Sequence, residues 1–148
     1  MNEFNSMFIW DGRLNRKKYL LLHAILIPMT MLTFYVFYLS NMHVKSALAT
    51  GVCFIYFCLI FWMLTVAQIK RLHDRNKSAK WILLLHGSVF FFLILRVITY
   101  AFKHSNRSYS YLLIITIIPL LGIAWFMIET FFVKGSPGDN RFGQNPLN

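Results

Sequence analysis

Four long apolar stretches constrain this chain more than any other feature, and only short polar segments separate them. They cover Tyr19–Ser40, Ala47–Ile69, Trp81–Phe102 and Tyr111–Val133. Each stretch has 22 or 23 residues, and about 20 apolar residues in a helix cross the roughly 30 Å hydrocarbon core of a bilayer. Because a backbone in lipid must satisfy its own hydrogen bonds, each stretch predicts a helix. We therefore predict an all-α protein, a four-helix transmembrane bundle.

The length and the cysteines limit what else the chain contains. Its 148 residues predict a single integral membrane domain over 1–148, because the segments outside the spans are too short to bury a separate core. Cys53 and Cys58 are five positions apart in the second stretch, which places them about 140° apart around a helix. An intrahelical disulfide is therefore excluded.

The distribution of basic residues predicts the orientation of the helices. Eleven of the fourteen Lys and Arg residues outside the apolar stretches precede the first stretch, lie between the second and third, or follow the fourth. Basic residues are enriched in cytoplasmic loops, so both termini and the 70–80 loop are predicted to be cytoplasmic, with short outer loops at about 41–46 and 103–110. This pattern accounts for most of the net charge of +10, and we expect no nucleic-acid partner.

Three segments on the predicted cytoplasmic side carry motifs, and we call these segments together the cap. They read Trp10-Asp-Gly-Arg13-x-x-Arg16-x-x-Tyr19, Arg71-Leu-His-Asp74-x-x-x-Ser78-x-x-Trp81 and Lys134-Gly-x-x-Gly138-x-Asn140-Arg141-Phe-Gly143-x-Asn-Pro146. In this order they resemble the motifs of the YhaH-like bacterial inner-membrane family, known as domain of unknown function 805. The resemblance covers nearly the whole chain and implies four helices and an inner-membrane location, but no activity. The chain departs from that family at Asn76 and Ala79, where glycine is usual.

The cap collects the residues that we predict to bind a ligand. They are Arg13, Arg16, Arg71, His73, Asp74, Arg75, Asn140 and Arg141. The planar fork of arginine forms paired hydrogen bonds to carboxylate or phosphate. Two interpretations stay open: the arginines pair with acidic residues and tie the loops and the tail together, or some of them hold an anionic headgroup or a phosphorylated ligand. The glycine-rich tail predicts consecutive turns folded back on the helices, with Gly135 ending the fourth helix in the left-handed conformation.

Polar residues near the cytoplasmic ends of the four stretches form a predicted inner polar layer. They are His23, Gln68, His86 and Glu129. Ionisable residues inside a membrane are candidates for function. Three interpretations stay open: a hydrogen-bonded layer that sets helix register, the mouth of a proton or cation pathway, or a metal held by the two histidines and the carboxylate. We expect the structural layer, and neither a metal nor another cofactor.

No motif of a known enzyme class is present, since the sequence lacks a P-loop and a GxSxG elbow. We therefore predict a non-enzymatic membrane module whose cap binds membrane phospholipids, chiefly anionic ones, or a partner membrane protein. The alternative is a channel or transporter subunit that uses the inner polar layer as a homo-oligomer. A lipid-modifying enzyme that uses His73 or Asp74 is the third alternative.

Overall fold

The structure is a computed structural model that describes residues 9–39, 47–104 and 114–146, with residues 102–104 described by their backbone alone. The first eight residues, the predicted outer loop at 41–46 and most of the second outer loop lie outside the described residues. The same holds for residues 111–113, where the fourth predicted span begins.

Helices account for all the regular elements of the described residues, which confirms the all-α prediction. They are α1 (Arg16–Leu39), α2 (Ala47–Asp74), a 3-10 turn (Ala79–Trp81), α3 (Ile82–His104) and α4 (Ile117–Met127), which continues as a π-helix over Ile128–Phe132. The order and approximate position of the four helices match the four apolar stretches.

Three of these elements are long and apolar enough to cross a membrane: α1, α2, and α3 together with the 3-10 turn before it. The apolar helix Ile117–Phe132 is shorter. Large apolar side chains face outward on these helices, with Leu21, Phe54 and Leu83 each between 63% and 69% exposed. Such surfaces are stable against lipid rather than water, and the chain is a multi-pass membrane protein.

Helix α2 extends beyond its predicted span and carries part of the second motif. The apolar stretch ends at Ile69, whereas the helix continues to Asp74. Arg71 and Asp74 are three positions apart and form an ion pair across one helical turn, which favours helix there. The loop predicted at 70–80 is therefore shorter than expected, because its first five residues are helical.

The end of α2 explains one departure from the family pattern. The Lys77 N–H donates to the Leu72 carbonyl at 2.8 Å, and the Asn76 N–H donates to the His73 carbonyl at 2.9 Å. This pair of bonds is a Schellman motif, which places one residue in the left-handed region, usually glycine and sometimes asparagine. Asn76 occupies that position with a φ of 56°. Asparagine therefore keeps the tight turn that glycine would form.

The chain divides into two compact units, and the first comprises residues 1–77 and 134–148. In this unit α1 packs against α2. Its buried apolar residues include Tyr19, Leu26, Ile60, Val66 and Leu72. Cys53 and Cys58 of α2 are both free thiols, as the spacing predicts.

The second unit comprises residues 78–133, and in it α3 packs against α4. The two helices approach closely at Gly122, where an added Cβ would lie 3.3 Å from the Cβ of Ser88. The rings of Trp81 and Trp125 lie 5.2 Å apart between centroids. Close backbone approach at a small residue is typical of helix packing in membranes.

Candidate functional site

The cap is organised around the carboxylate of Asp74, the last residue of α2. Arg13 donates to its Oδ1 from Nε at 3.2 Å and from Nη2 at 3.0 Å. Arg71 donates to the other oxygen, Oδ2. Asp74 is 3% exposed and Arg71 is fully buried. One buried carboxylate is therefore shared by two guanidinium groups, one from the first motif and one from the second.

The tail folds onto the end of α2 and satisfies its last carbonyl groups. Ser136 donates to the Asp74 carbonyl from its backbone N–H at 2.7 Å and from its hydroxyl at 2.9 Å. Asn140 Nδ2 donates to the His73 carbonyl at 2.9 Å. The final carbonyls of a helix lack partners within the helix. The tail thus supplies the hydrogen bonds that end α2, and the predicted fold-back of the tail is confirmed.

Arg13 connects the first motif to the tail as well as to α2. Its Nη1 donates to the Gly138 carbonyl at 2.6 Å, and its Nη2 donates to the Ser136 carbonyl at 2.9 Å. The side chain of Arg13 is 1% exposed. All three cap segments therefore meet at one arginine, which uses the several donors of its planar fork.

The expected left-handed conformation of Gly135 is wrong. The glycines of the described residues with positive φ are Gly12, Gly138 and Gly143, with Gly138 at 68°. Gly135 serves a different purpose, because a Cβ there would lie 2.7 Å from the Cγ of Asp74. The tail needs glycine at this position for close approach to the shared carboxylate, and the turn itself lies three residues later.

An aromatic contact holds the distal part of the tail. The rings of His73 and Phe142 are stacked, 3.9 Å apart between centroids and 4° from parallel. His73 Nδ1 lies 3.1 Å from the Gly12 carbonyl, and a carbonyl only accepts, so Nδ1 carries the proton. The guanidinium of Arg141 lies 4.7 Å from the Phe142 ring centroid and donates to the Asn76 carbonyl at 3.1 Å. His73 is thus engaged in packing the cap.

All eight predicted ligand-binding residues of the cap lie in the first unit. Arg75 Nη1 donates to the Lys134 carbonyl. This bond and the contacts described above involve every one of the eight except Arg16, and they hold the cap together. These contacts are those of the first interpretation, in which the arginines tie the loops and the tail together. The eighth residue, Arg16, lines a cleft. Ligand binding by the cap stays a prediction.

One cleft in this unit lies between the start of α1 and the tail, and we call it the tail cleft. It has a volume of about 450 Å³ and is lined on one side by Arg16 and Lys17 and on the other by Lys134 and the segment 135–138. Asp74 contributes the carboxylate of the lining. Asn15 caps α1 at this edge, where its Oδ1 accepts the Lys18 N–H at 2.8 Å.

Another cleft of this unit lies between α1 and α2, and we call it the helix groove. It has a volume of about 500 Å³. Apolar side chains of both helices form its walls, and charged side chains stand at one end: Leu21, Leu22, Ile25, Met63, Val66 and Ala67, with Asp11, Lys18 and Lys70. Sequence reasoning did not single out Lys18 and Lys70 as binding residues, although in the sequence each stands at helical spacing from the apolar residues of the groove.

The inner polar layer is divided between the two units. His23 and Gln68 belong to the first unit, and His86 and Glu129 belong to the second. His23 is buried, and its Nδ1 lies 3.0 Å from the Tyr19 carbonyl one turn earlier. Glu129 is also buried, on the π-helix. Convergence of the four residues stays a prediction. Within the described ranges, no group of three or more His, Cys, Asp or Glu side chains could hold a metal ion.

Comparison with known protein families gives a match over most of the chain. The model of a family of proteins of unknown function, DUF805, matches residues 7–144. The match includes all three cap segments almost to their ends, which confirms the resemblance drawn from the motifs. No curated protein and no solved structure matches the chain.

Proposed function

The chain belongs to the DUF805 family of proteins of unknown function, and from that premise we propose that it is a non-enzymatic protein of the bacterial inner membrane whose cap binds anionic phospholipid headgroups. In this proposal it crosses the membrane four times, and both termini are cytoplasmic. The cap then lies at the level of the inner headgroups.

The charge of the tail cleft carries this proposal. Three exposed cationic side chains, Arg16, Lys17 and Lys134, line it. Its carboxylate, Asp74, is already paired with Arg13 and Arg71. Among residues 9–39, 47–104 and 114–146, no hydrogen bond or ion pair engages the ammonium groups of Lys17 and Lys134. The cleft therefore presents a positive surface that fits a phosphate group.

The geometry of the cap supports a non-enzymatic role. Both oxygens of Asp74 accept from buried arginines, and the His73 ring is stacked on Phe142 while its Nδ1 donates to a backbone carbonyl. Both oxygens of Asp74, together with the ring face and the Nδ1–H of His73, therefore hold the cap together.

The test is selective binding of anionic lipid to the purified full chain. Each direct contact between an exposed lysine and the bound phosphate contributes about 1 kcal/mol, so the double variant Lys17→Ala/Lys134→Ala is expected to lose about 30-fold in affinity for phosphatidylglycerol. Native mass spectrometry across a titration measures that affinity. Arg13 is left intact, because its loss would break the cap.

The matched control is Lys77→Ala/Lys80→Ala, which removes the same charge from the same predicted side without touching either cleft. It is expected to change the affinity far less. An equal loss in both double variants would reduce the effect to diffuse surface charge. Equal affinity for phosphatidylcholine and phosphatidylglycerol in the unaltered protein would refute headgroup binding.

The four-span topology is tested separately. The helix Ile117–Phe132 alone spans about 24 Å at about 1.5 Å per residue, and the apolar stretch that contains it begins at Tyr111. Single cysteines at positions 45 and 106, in a background without Cys53 and Cys58, should react with an impermeant reagent from outside. A cysteine at position 77 should not, and outside labelling there would overturn the proposed orientation.

A second candidate function rests on the π-helix. Wide π-turns occur often at functional sites, and this one carries the buried carboxylate of Glu129 next to the fully buried Thr130. A proton or cation pathway is the activity that such a residue would serve. Glu129→Gln, which removes the ionisable group from this side chain, tests this candidate function.

A further inference from the structure

The walls of the helix groove are two matching helical stripes. On α1 the lining residues are Lys18, Leu21, Leu22 and Ile25. On α2 they are Met63, Val66, Ala67 and Lys70. Both sets follow the spacing i, i+3, i+4, i+7, which places each set on one face of its helix. Leu14, just before α1, bonds to Lys70, near the end of α2, so the two helices run antiparallel. Each stripe therefore has its lysine at the same end of the groove.

We propose that the helix groove holds one acyl chain of a phospholipid with a single net negative charge, with its phosphate between Lys18 and Lys70. The inference goes beyond headgroup binding at the tail cleft, since it assigns a second site with a different lining. It names the chemistry of the occupant: a phosphodiester joined to a long apolar chain.

The depth of the lining residues matches the polarity of such a lipid. Ile25 and Met63 are each seven residues from the lysine of their stripe, about 10 Å along the helix axis. The charged end therefore lies at the headgroup level when the apolar part of the groove lies among the acyl chains. A cleft of about 500 Å³ with apolar walls and a few polar groups at one end is typical of a ligand site.

The charge at the mouth selects the headgroup. Lys18, Lys70 and Asp11 line this end, and together they carry one net positive charge. Arg13 also lines the groove, but its guanidinium is held by Asp74 and the tail. A lipid with one net negative charge neutralises the mouth of the groove, whereas a zwitterionic lipid leaves the mouth with its net positive charge.

The first motif forms the rim of the groove. The Leu14 N–H donates to the Lys70 carbonyl at 3.2 Å, which fixes the segment 11–15 across the mouth. Pro146 of the tail also lines the groove. The contacts of the cap therefore position the groove's entrance, and the same residues that tie the cap together shape a binding site.

Photo-crosslinking tests this proposal. The full chain is placed in phosphatidylcholine nanodiscs that contain a small fraction of phosphatidylglycerol with a diazirine midway along one acyl chain. Digestion and mass spectrometry then locate the crosslinks. They are expected to concentrate on the two stripes, around Leu22, Ile25 and Met63.

Leu21→Trp fills the groove with an indole and is expected to remove most of these crosslinks. Leu21 is 64% exposed, so the larger ring does not disturb the core. Leu32→Trp is the matched control, since Leu32 lies on the same helix, is 63% exposed and does not line the groove. Equal crosslinking in both variants would show ordinary annular lipid and overturn the proposal.

The lysines are tested one at a time. A direct lysine–phosphate contact contributes about 1 kcal/mol, so Lys18→Ala and Lys70→Ala are each expected to lower groove crosslinking about fivefold. Lys80→Ala, which is not in the groove, leaves it unchanged. Lys17→Ala/Lys134→Ala, which removes charge from the tail cleft, should also leave it unchanged, so failure at one site is distinguishable from failure at the other. Undiminished labelling by a zwitterionic probe lipid would refute the headgroup assignment.

Discussion

Replacing Asp74 by alanine should destabilise the protein strongly, because two buried arginines depend on its carboxylate. Arg71 is fully buried, and the side chain of Arg13 is 1% exposed. Neither guanidinium can reach water in place of the lost carboxylate without opening the cap. The tail keeps its own bonds to the Asp74 backbone carbonyl, so the substitution tests the charges rather than the attachment of the tail.

The expected size follows from that burial. Removing one partner of a buried ion pair costs about 3–5 kcal/mol, because it leaves an uncompensated charge. For a chain of this size 1 kcal/mol lowers the melting temperature by about 2–4 °C, so Asp74→Ala should lower it by about 6–20 °C. The exposed carboxylate of Asp11 is the charge-matched control, and its removal should cost no more than about 1 kcal/mol.

Tryptophan fluorescence during thermal unfolding in detergent measures both variants. Where Asp74→Ala fails to accumulate, Asp74→Asn removes the charge and keeps the shape. Adding Arg71→Met to Asp74→Ala should cost less than the sum of the single changes, because it removes one of the stranded charges. Equal melting temperatures for Asp74→Ala and Asp11→Ala, or strict additivity in the double variant, would refute the shared buried pair.

Three further changes probe other parts of the chain. Gly135→Ala should lower the free energy of unfolding by about 1–3 kcal/mol, because its Cβ meets a carboxylate that two arginines hold in place. Gly51→Ala inside α2 meets nothing within 4 Å and should raise that free energy by about 0.5–1 kcal/mol. Thermal unfolding should therefore show shifts of opposite sign for the two variants. Asn76→Ala should cost about 1–2 kcal/mol at its left-handed φ, and Asn76→Gly should not; equal melting temperatures would contradict the Schellman assignment. Glu129→Gln should leave stability and oligomeric state nearly unchanged if the inner polar layer is structural, and should abolish proton or cation flux in proteoliposomes if it conducts; a variant with unchanged flux excludes conduction.

The helices of this protein were readable from the sequence, since a continuous apolar run of sufficient length has few stable alternatives to a helix in lipid. The excluded disulfide and the fold-back of the tail were also readable, because spacing and turn residues are local properties. The predicted end of α2 at Ile69 was wrong, because it was placed from hydropathy alone. Hydropathy detects the border of the apolar stretch, whereas the helix continues through charged residues that pair along one turn, as Arg71 and Asp74 do.

Only the tertiary structure shows which contacts the cap residues make with one another. The sequence left open whether the arginines pair with acidic residues of the chain or bind an anionic ligand, since both uses need the same guanidinium groups. Only the folded chain brings Arg13 to Asp74 across 61 positions, and only there does Gly135 meet the carboxylate. The helix groove likewise requires two faces from separate helices. Each stripe is a local pattern, but the cavity between them depends on the angle and rotation of α1 against α2, which side-chain packing sets and hydropathy does not record.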